Sequence, residues 1–170
     1  MNGRTKYVAA LVGGALLVGT PAVAASGPSQ QPMSPSQARS AFRKAVCPLN
    51  ETLGVLEKAE KAPVVNWETL QAALTETGDM QLRTASKLGH PKRPWPANVA
   101  SYIPDMADLD LTQAGANYTL AGAGSFEEYQ TLLKALQKDI SAPLKAEIKS
   151  FVKARKIVHK RLGLPKDACA

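Results

Sequence analysis

The side chains able to do chemistry in this sequence are few, and most are cationic. Lys134, Lys138, Lys145, Lys149, Lys153, Lys156 and Lys160 recur mostly at threes and fours. On a helix, at about 100° per residue, that spacing gathers them on one arc opposite the apolar stripe. Arg155 and Arg161 add to the same end, and residues 126–170 hold ten Lys or Arg against five Asp or Glu. Such a face attracts anions, namely phosphate-bearing wall polymers or acidic lipid head groups. The same pattern also describes an ordinary solvated helix face. No aromatic is interleaved on it, which argues against nucleic acid, because single strands are gripped by base stacking. The expected anion contacts are Lys145, Lys149, Lys153, Lys156, Lys160 and Arg161.

Cys47 in "AVCPLN" and Cys169 in "PKDACA" are the only cysteines. Neither has a CxxC partner or a nearby histidine, so a disulfide is favoured over a reactive thiol or a metal pair. The loop "HPKRPWP" offers Trp95 beside Lys92 and Arg93. An exposed indole there would stack on a sugar or lodge in a partner; a buried one would cap the end of a helical array. Asp105, Asp108 and Asp110 cluster, but a calcium loop needs more oxygen ligands and a glycine turn. They are expected to face Arg155, Lys156 or Arg161 instead. His90 and His159 lack ligand spacing. Glu147 falls near an apolar face, from which a bend at Pro143 is expected to rotate it. No Gly-rich phosphate loop, GxSxG or HExxH occurs. No catalytic residue, resident metal or cofactor is therefore expected.

The chain begins with Arg4 and Lys6, an apolar run over 7–19, then "TPAVAAS". This reads as a secretory signal peptide over residues 1–25, cut after Ala24 or Ala25. The apolar run is shorter than the roughly 20 residues that span a bilayer. Export favours the disulfide, which persists outside the cytosol. Residues 26–34, "SGPSQQPMS", lack periodicity and read as a flexible tether. Residues 35–170 make one domain. The formal charge of +7 becomes +5 without Arg4 and Lys6.

Four amphipathic stretches would position these groups. The first follows a capping box, Ser34-Pro35-Ser36-Gln37, and carries Ala38, Phe42, Ala45, Leu49, Leu53 and Leu56, with a kink expected at Pro48. The second starts at Asn66 with Trp67, Leu70, Leu74, Leu82, Ala85 and Leu88, and Gly89 is expected to cap its end. The third carries Val99, Tyr102, Met106, Leu109, Ala114, Tyr118 and Ala121, with a break expected at Pro104. The fourth opens on Ser125 and Glu128 and runs from Tyr129 to Leu162, bent at Pro143 and stopped by Gly163. Short connections predict an all-α fold, an up-down-up-down four-helix bundle with kinked first and last helices. Cys47 then lies about 18 Å up the first helix. Seven residues past Leu162 reach roughly 23 Å when extended. The tail can thus fold back to form Cys47–Cys169.

"CPLN" in the first helix, "WP" opening the third, and "RLGLP" followed by a final cysteine resemble a pattern in small secreted proteins and lipoproteins of actinobacteria. The resemblance spans most of the chain after the leader. It implies an envelope location and a helical bundle, and it brings no activity. Unlike the lipoprotein members, this sequence has no cysteine at the cleavage site.

The function these residues predict is non-enzymatic binding at the bacterial envelope. The partner would be anionic cell-wall polymer or lipid head groups, met by the basic helical face with help from the Lys92–Arg93–Trp95 loop. The alternative is a carrier of a small apolar or metal-containing ligand, which needs a cavity between helices. A third reading, an enzyme of unfamiliar type, needs Glu147, His159 and a tyrosine in one cleft.

Overall fold

Local capping decides where most of the helices begin. The computed structural model describes residues 30–138, 140–165 and 168–169; the expected leader and the start of the tether lie outside them. Within them lie α1 (Pro35–Glu60), α2 (Trp67–Gly89), α3 (Ala97–Ala100), α4 (Ile103–Ala121), α5 (Phe126–Lys138) and α6 (Ala142–Leu162). No strand occurs among the described residues. At α1 the Ser34 hydroxyl accepts from the Gln37 N–H while Gln37 Oε1 accepts from the Ser34 N–H, a complete capping box. Asn66 Oδ1 accepts from the Thr69 N–H to open α2. At α5 the Ser125 hydroxyl accepts from Glu128 N–H, but the Glu128 carboxylate reaches Gly124 rather than closing the box on Ser125.

Prolines act differently from expectation at two places. The long fourth helix is two helices, α5 and α6, with Ile140 and Ser141 between them. Ser141 caps α6 by accepting from the Leu144 N–H, and Pro143 sits in its first turn. A first-turn proline costs no helical hydrogen bond, so the residue expected to bend one helix opens another. The third helix divides the same way. The break falls at Ser101 and Tyr102, and Pro104 lies in the first turn of α4. By contrast, α1 continues through Pro48. Flanking Ala45, Val46 and Leu49 are all buried, and that packing outweighs one forfeited backbone bond. Gly89 is the last residue of α2, with His90 as the cap. Gly163 does take the left-handed conformation, φ 63°, and ends α6.

Two apolar clusters sit toward opposite ends of the helices. One gathers Phe42 and Val46 of α1, Ala85 and Leu88 of α2, Ile103 and Met106 of α4, and Ala154, Val158 and Leu162 of α6. The other gathers Leu56, Leu70, Leu74, Leu120 and Tyr129. Between them Leu109 meets Leu144. Thus α1 and α4 run from the first cluster to the second, α2 runs back, and α5 and α6 return in succession. In space α2 packs on α1 and α4, and α4 packs on α6.

The apolar stripe of α2 departs from expectation at one position. Leu82 is 41% exposed, while its neighbour Gln81 is buried. Buried Thr77, Gln81 and Thr84 face inward because their hydrogen bonds are met inside. Thr77 and Thr84 hydroxyls donate to the carbonyls of Ala73 and Ala45, and Gln81 exchanges hydrogen bonds with Gln113 and Asn117 of α4. Gly78 of α2 lies against the Tyr118 ring of α4: a Cβ there would come within 3.1 Å of it, so the ring would have to give by a few tenths of an ångström.

Leu74 is almost wholly buried, whereas Leu136 of α5 is half-buried at the edge of the second cluster. Leu74→Ala is therefore expected to cost about 2–5 kcal/mol in chemical denaturation, and Leu136→Ala clearly less. Equal small losses would mean that the second cluster is not a packed core.

Candidate functional site

The basic face of α6 follows from its own amphipathicity. Leu144, Ala154, Val158 and Leu162 are buried and commit one side of the helix to the interior. Lys145, Lys149, Lys153, Lys156 and Lys160 then fall outside and are exposed. Val152, 45% exposed, lies on the same outward side. Across residues 142–162 seven Lys or Arg stand against the single Glu147. Among the described residues the only ion pair is Lys61 with Glu57, so no carboxylate neutralises this face at contact distance.

Three sequence-level expectations change at this end of the molecule. Arg161 is exposed but not idle: it donates to the Asn98 carbonyl, and its guanidinium lies over the Tyr102 ring at 5.0 Å. It ties α6 to α3 and is less free to meet a ligand than the lysines. Lys134 and Lys138 belong to α5, so they do not share a continuous helical arc with the α6 lysines. Arg155 is half-buried, and its charge acts on Asp110 and His159 instead of on solvent.

The Lys92–Arg93–Trp95 loop is pinned. Trp95 is 7% exposed, and its Nε1–H donates to the Leu88 carbonyl at 2.9 Å. The indole belongs to the first apolar cluster, so of the two expectations for it the buried one holds. The Pro94 carbonyl accepts from the Met33 N–H at 2.9 Å, and Met33 is buried in the same cluster as Trp95, so Met33 is held to the domain. Arg93 donates to Gln37 Oε1 at 3.4 Å, and both Lys92 and Arg93 are exposed.

Among the described residues three carboxylates share one groove and His159 lies apart from them. Asp105 accepts from the Ser150 hydroxyl, and Glu147 accepts from the Thr112 hydroxyl at 3.1 Å. With Asp108 they line a surface groove between α4 and α6. Asp110 is buried, and desolvation raises its pKa to about 7, with the Arg155 charge pulling the other way. His159 packs edge-on against Phe42, ring centres 5.5 Å apart, some 18 Å along α6 from Glu147. Burial lowers its pKa first, then the Arg155 charge, against a backbone hydrogen bond with Pro165. No group of three His, Cys, Asp or Glu among the described residues could hold a metal ion.

The cysteines meet as the reach argument requires. Cys47 and Cys169 form a disulfide, with Cα atoms 4.9 Å apart. The tail after α6 lies against α1, and between them runs a cleft of about 840 Å³. Its basic residues, Arg39, Arg43 and Lys44, were not singled out by sequence reasoning. Their signal was present in the spacing: with Ser36 and Ser40 they recur at threes and fours, on the side of α1 opposite Ala38, Phe42 and Ala45. A second outward stripe on a helix reads as solvated surface until something is placed beside it.

Fold and surface together define an all-helical protein, among the described residues, closed by one disulfide, with exposed lysines along α6 and a cleft between α1 and the tail. No described helix is long and apolar enough to cross a membrane. No protein-family model, curated protein or solved structure matches the chain.

Proposed function

We propose that this protein is exported and binds anionic polymer or lipid head groups at the bacterial envelope through the basic face of α6. In this reading the helices form an up-down-up-down four-helix bundle whose fourth member is split into α5 and α6. The observation that carries the proposal is the row Lys145, Lys149, Lys153, Lys156 and Lys160, exposed and without a contacting carboxylate among the described residues. Folding does not need this row, since Leu144, Ala154, Val158 and Leu162 anchor the helix from the other side. The leader-like start and the disulfide support an oxidising, extracytoplasmic site of action.

Replacing Lys149, Lys153, Lys156 and Lys160 with glutamine is expected to abolish sedimentation with anionic vesicles or isolated cell wall. The melting temperature should barely move, because exposed lysines contribute little to folding. Binding by the parent should fall steeply between about 50 and 300 mM salt, where screening and counterion release act. Equal binding by parent and variant would reduce the row to a solubilising surface.

A further inference from the structure

We propose that the cleft between α1 and the C-terminal tail is a binding site for a phosphodiester group, held by Arg39 and Arg43. This deepens the anion-binding reading above and rests on it. The floor of the cleft is one outward stripe of α1: Ser36, Arg39, Ser40, Arg43, Lys44 and, further along, Glu51. Its wall is the tail, Gly163, Leu164, Pro165 and Ala168, which the Cys47–Cys169 bridge fastens to the same helix. The cleft is open to solvent along its length and measures about 840 Å³.

The charges in this cleft work against the helix that carries them. Arg39 and Arg43 are one turn apart, a spacing at which like charges destabilise an isolated helix. No acidic residue lies in the first turn of α1 to offset them, and no described carboxylate pairs with Arg39, Arg43 or Lys44. Two guanidinium forks a turn apart match a tetrahedral oxyanion, which offers several acceptor oxygens. Ser36 and Ser40 add hydroxyl donors on the same side, and Lys44 adds a point charge. The apolar wall of Leu164, Pro165 and Ala168 suits the carbon portion of a diester. Glu51 bounds the site: its carboxylate repels an anion that strays from the arginine end.

The cleft and the α6 face are separable by mutation. The probes are a soluble glycerol phosphodiester oligomer, read by titration calorimetry, and vesicles rich in phosphatidylglycerol, read by sedimentation. Arg39→Gln with Arg43→Gln is expected to weaken binding roughly 10- to 100-fold, the worth of lost charged hydrogen bonds. Circular dichroism and melting temperature should stay those of the parent. Glu51→Gln is expected to tighten binding about twofold or more by removing a nearby like charge. Response to the oligomer assigns a polymer as the source of the group; response to vesicles alone assigns a lipid head group. Unchanged affinity in the double arginine variant overturns the cleft. If the α6 lysine variant loses that same binding, the face reading survives without the cleft. A parent protein that binds neither probe overturns both.

Discussion

Reducing the Cys47–Cys169 bridge is expected to lower the melting temperature by roughly 10–20 °C, from a stability loss of about 4–5 kcal/mol. The bond joins residues 122 positions apart and so closes nearly the whole described domain into one loop. Most of its effect falls on the unfolded chain, whose freedom the cross-link removes. The folded side adds a local term. Ala168 is buried against the structure and Leu164 packs beside the first apolar cluster, so a released tail would uncover both. Thermal unfolding with and without dithiothreitol, and of Cys47→Ser with Cys169→Ser, measures the loss. The reduced protein should also lose the wall of the α1 cleft, so its affinity for the phosphodiester oligomer should fall with its stability. A melting temperature indifferent to reductant would mean that the tail docks by packing alone.

Asp110→Asn is expected to stabilise the protein at pH 8 and to leave it nearly unchanged at pH 4. Asp110 lies on α4, 4% exposed, with no ion-pair partner among the described residues. Burial pushes its carboxyl up from 3.8 to about 7, and the Arg155 charge opposes this without cancelling it. The folded state therefore holds the proton more tightly than the unfolded chain does. Stability from this group is full below about pH 4 and is lost as pH rises through 7. A shift of that size corresponds to something on the order of 4 kcal/mol. His159 has the opposite sign: burial lowers its pKa, so falling pH through the normal histidine range favours the unfolded chain. Subtracting the Asp110→Asn curve from the parent curve removes His159 and every other shared group. Denaturant midpoints measured from pH 4 to 8 should converge at the acid end and separate at the alkaline end. Parallel curves would mean that Asp110 is hydrated in the folded state.

The residues proposed to bind anions differ in how legible they were. The α6 lysines could be read because one helix creates their face: the period that buries Val158 and Leu162 also sends Lys156 and Lys160 outward. The cleft could not, because it needs two segments far apart in sequence, α1 and the tail. Arg161 and Trp95 carry the same lesson in reverse. Each has the composition of a contact residue, and each spends its polar group on a backbone carbonyl brought up from elsewhere, Asn98 and Leu88.

Taken alone, the sequence determined the helical class, the capped starts at Ser34 and Asn66, the left-handed stop at Gly163 and the pairing of the only two cysteines. These are local or combinatorial matters: a cap needs three or four residues, and two cysteines admit one bond. Only the tertiary structure decided which polar residues go inside. Thr77, Gln81, Thr84 and Asp110 have surface-like side chains, and a single helix gives no reason to bury them. Partners on α1 and α4 give that reason for Thr84 and Gln81, through Ala45, Gln113 and Asn117, while Thr77 donates to Ala73 within α2, so water is not needed by any of the three. Burial of Asp110 has no such compensation among the described residues, and that is the physical reason its proton is held so tightly.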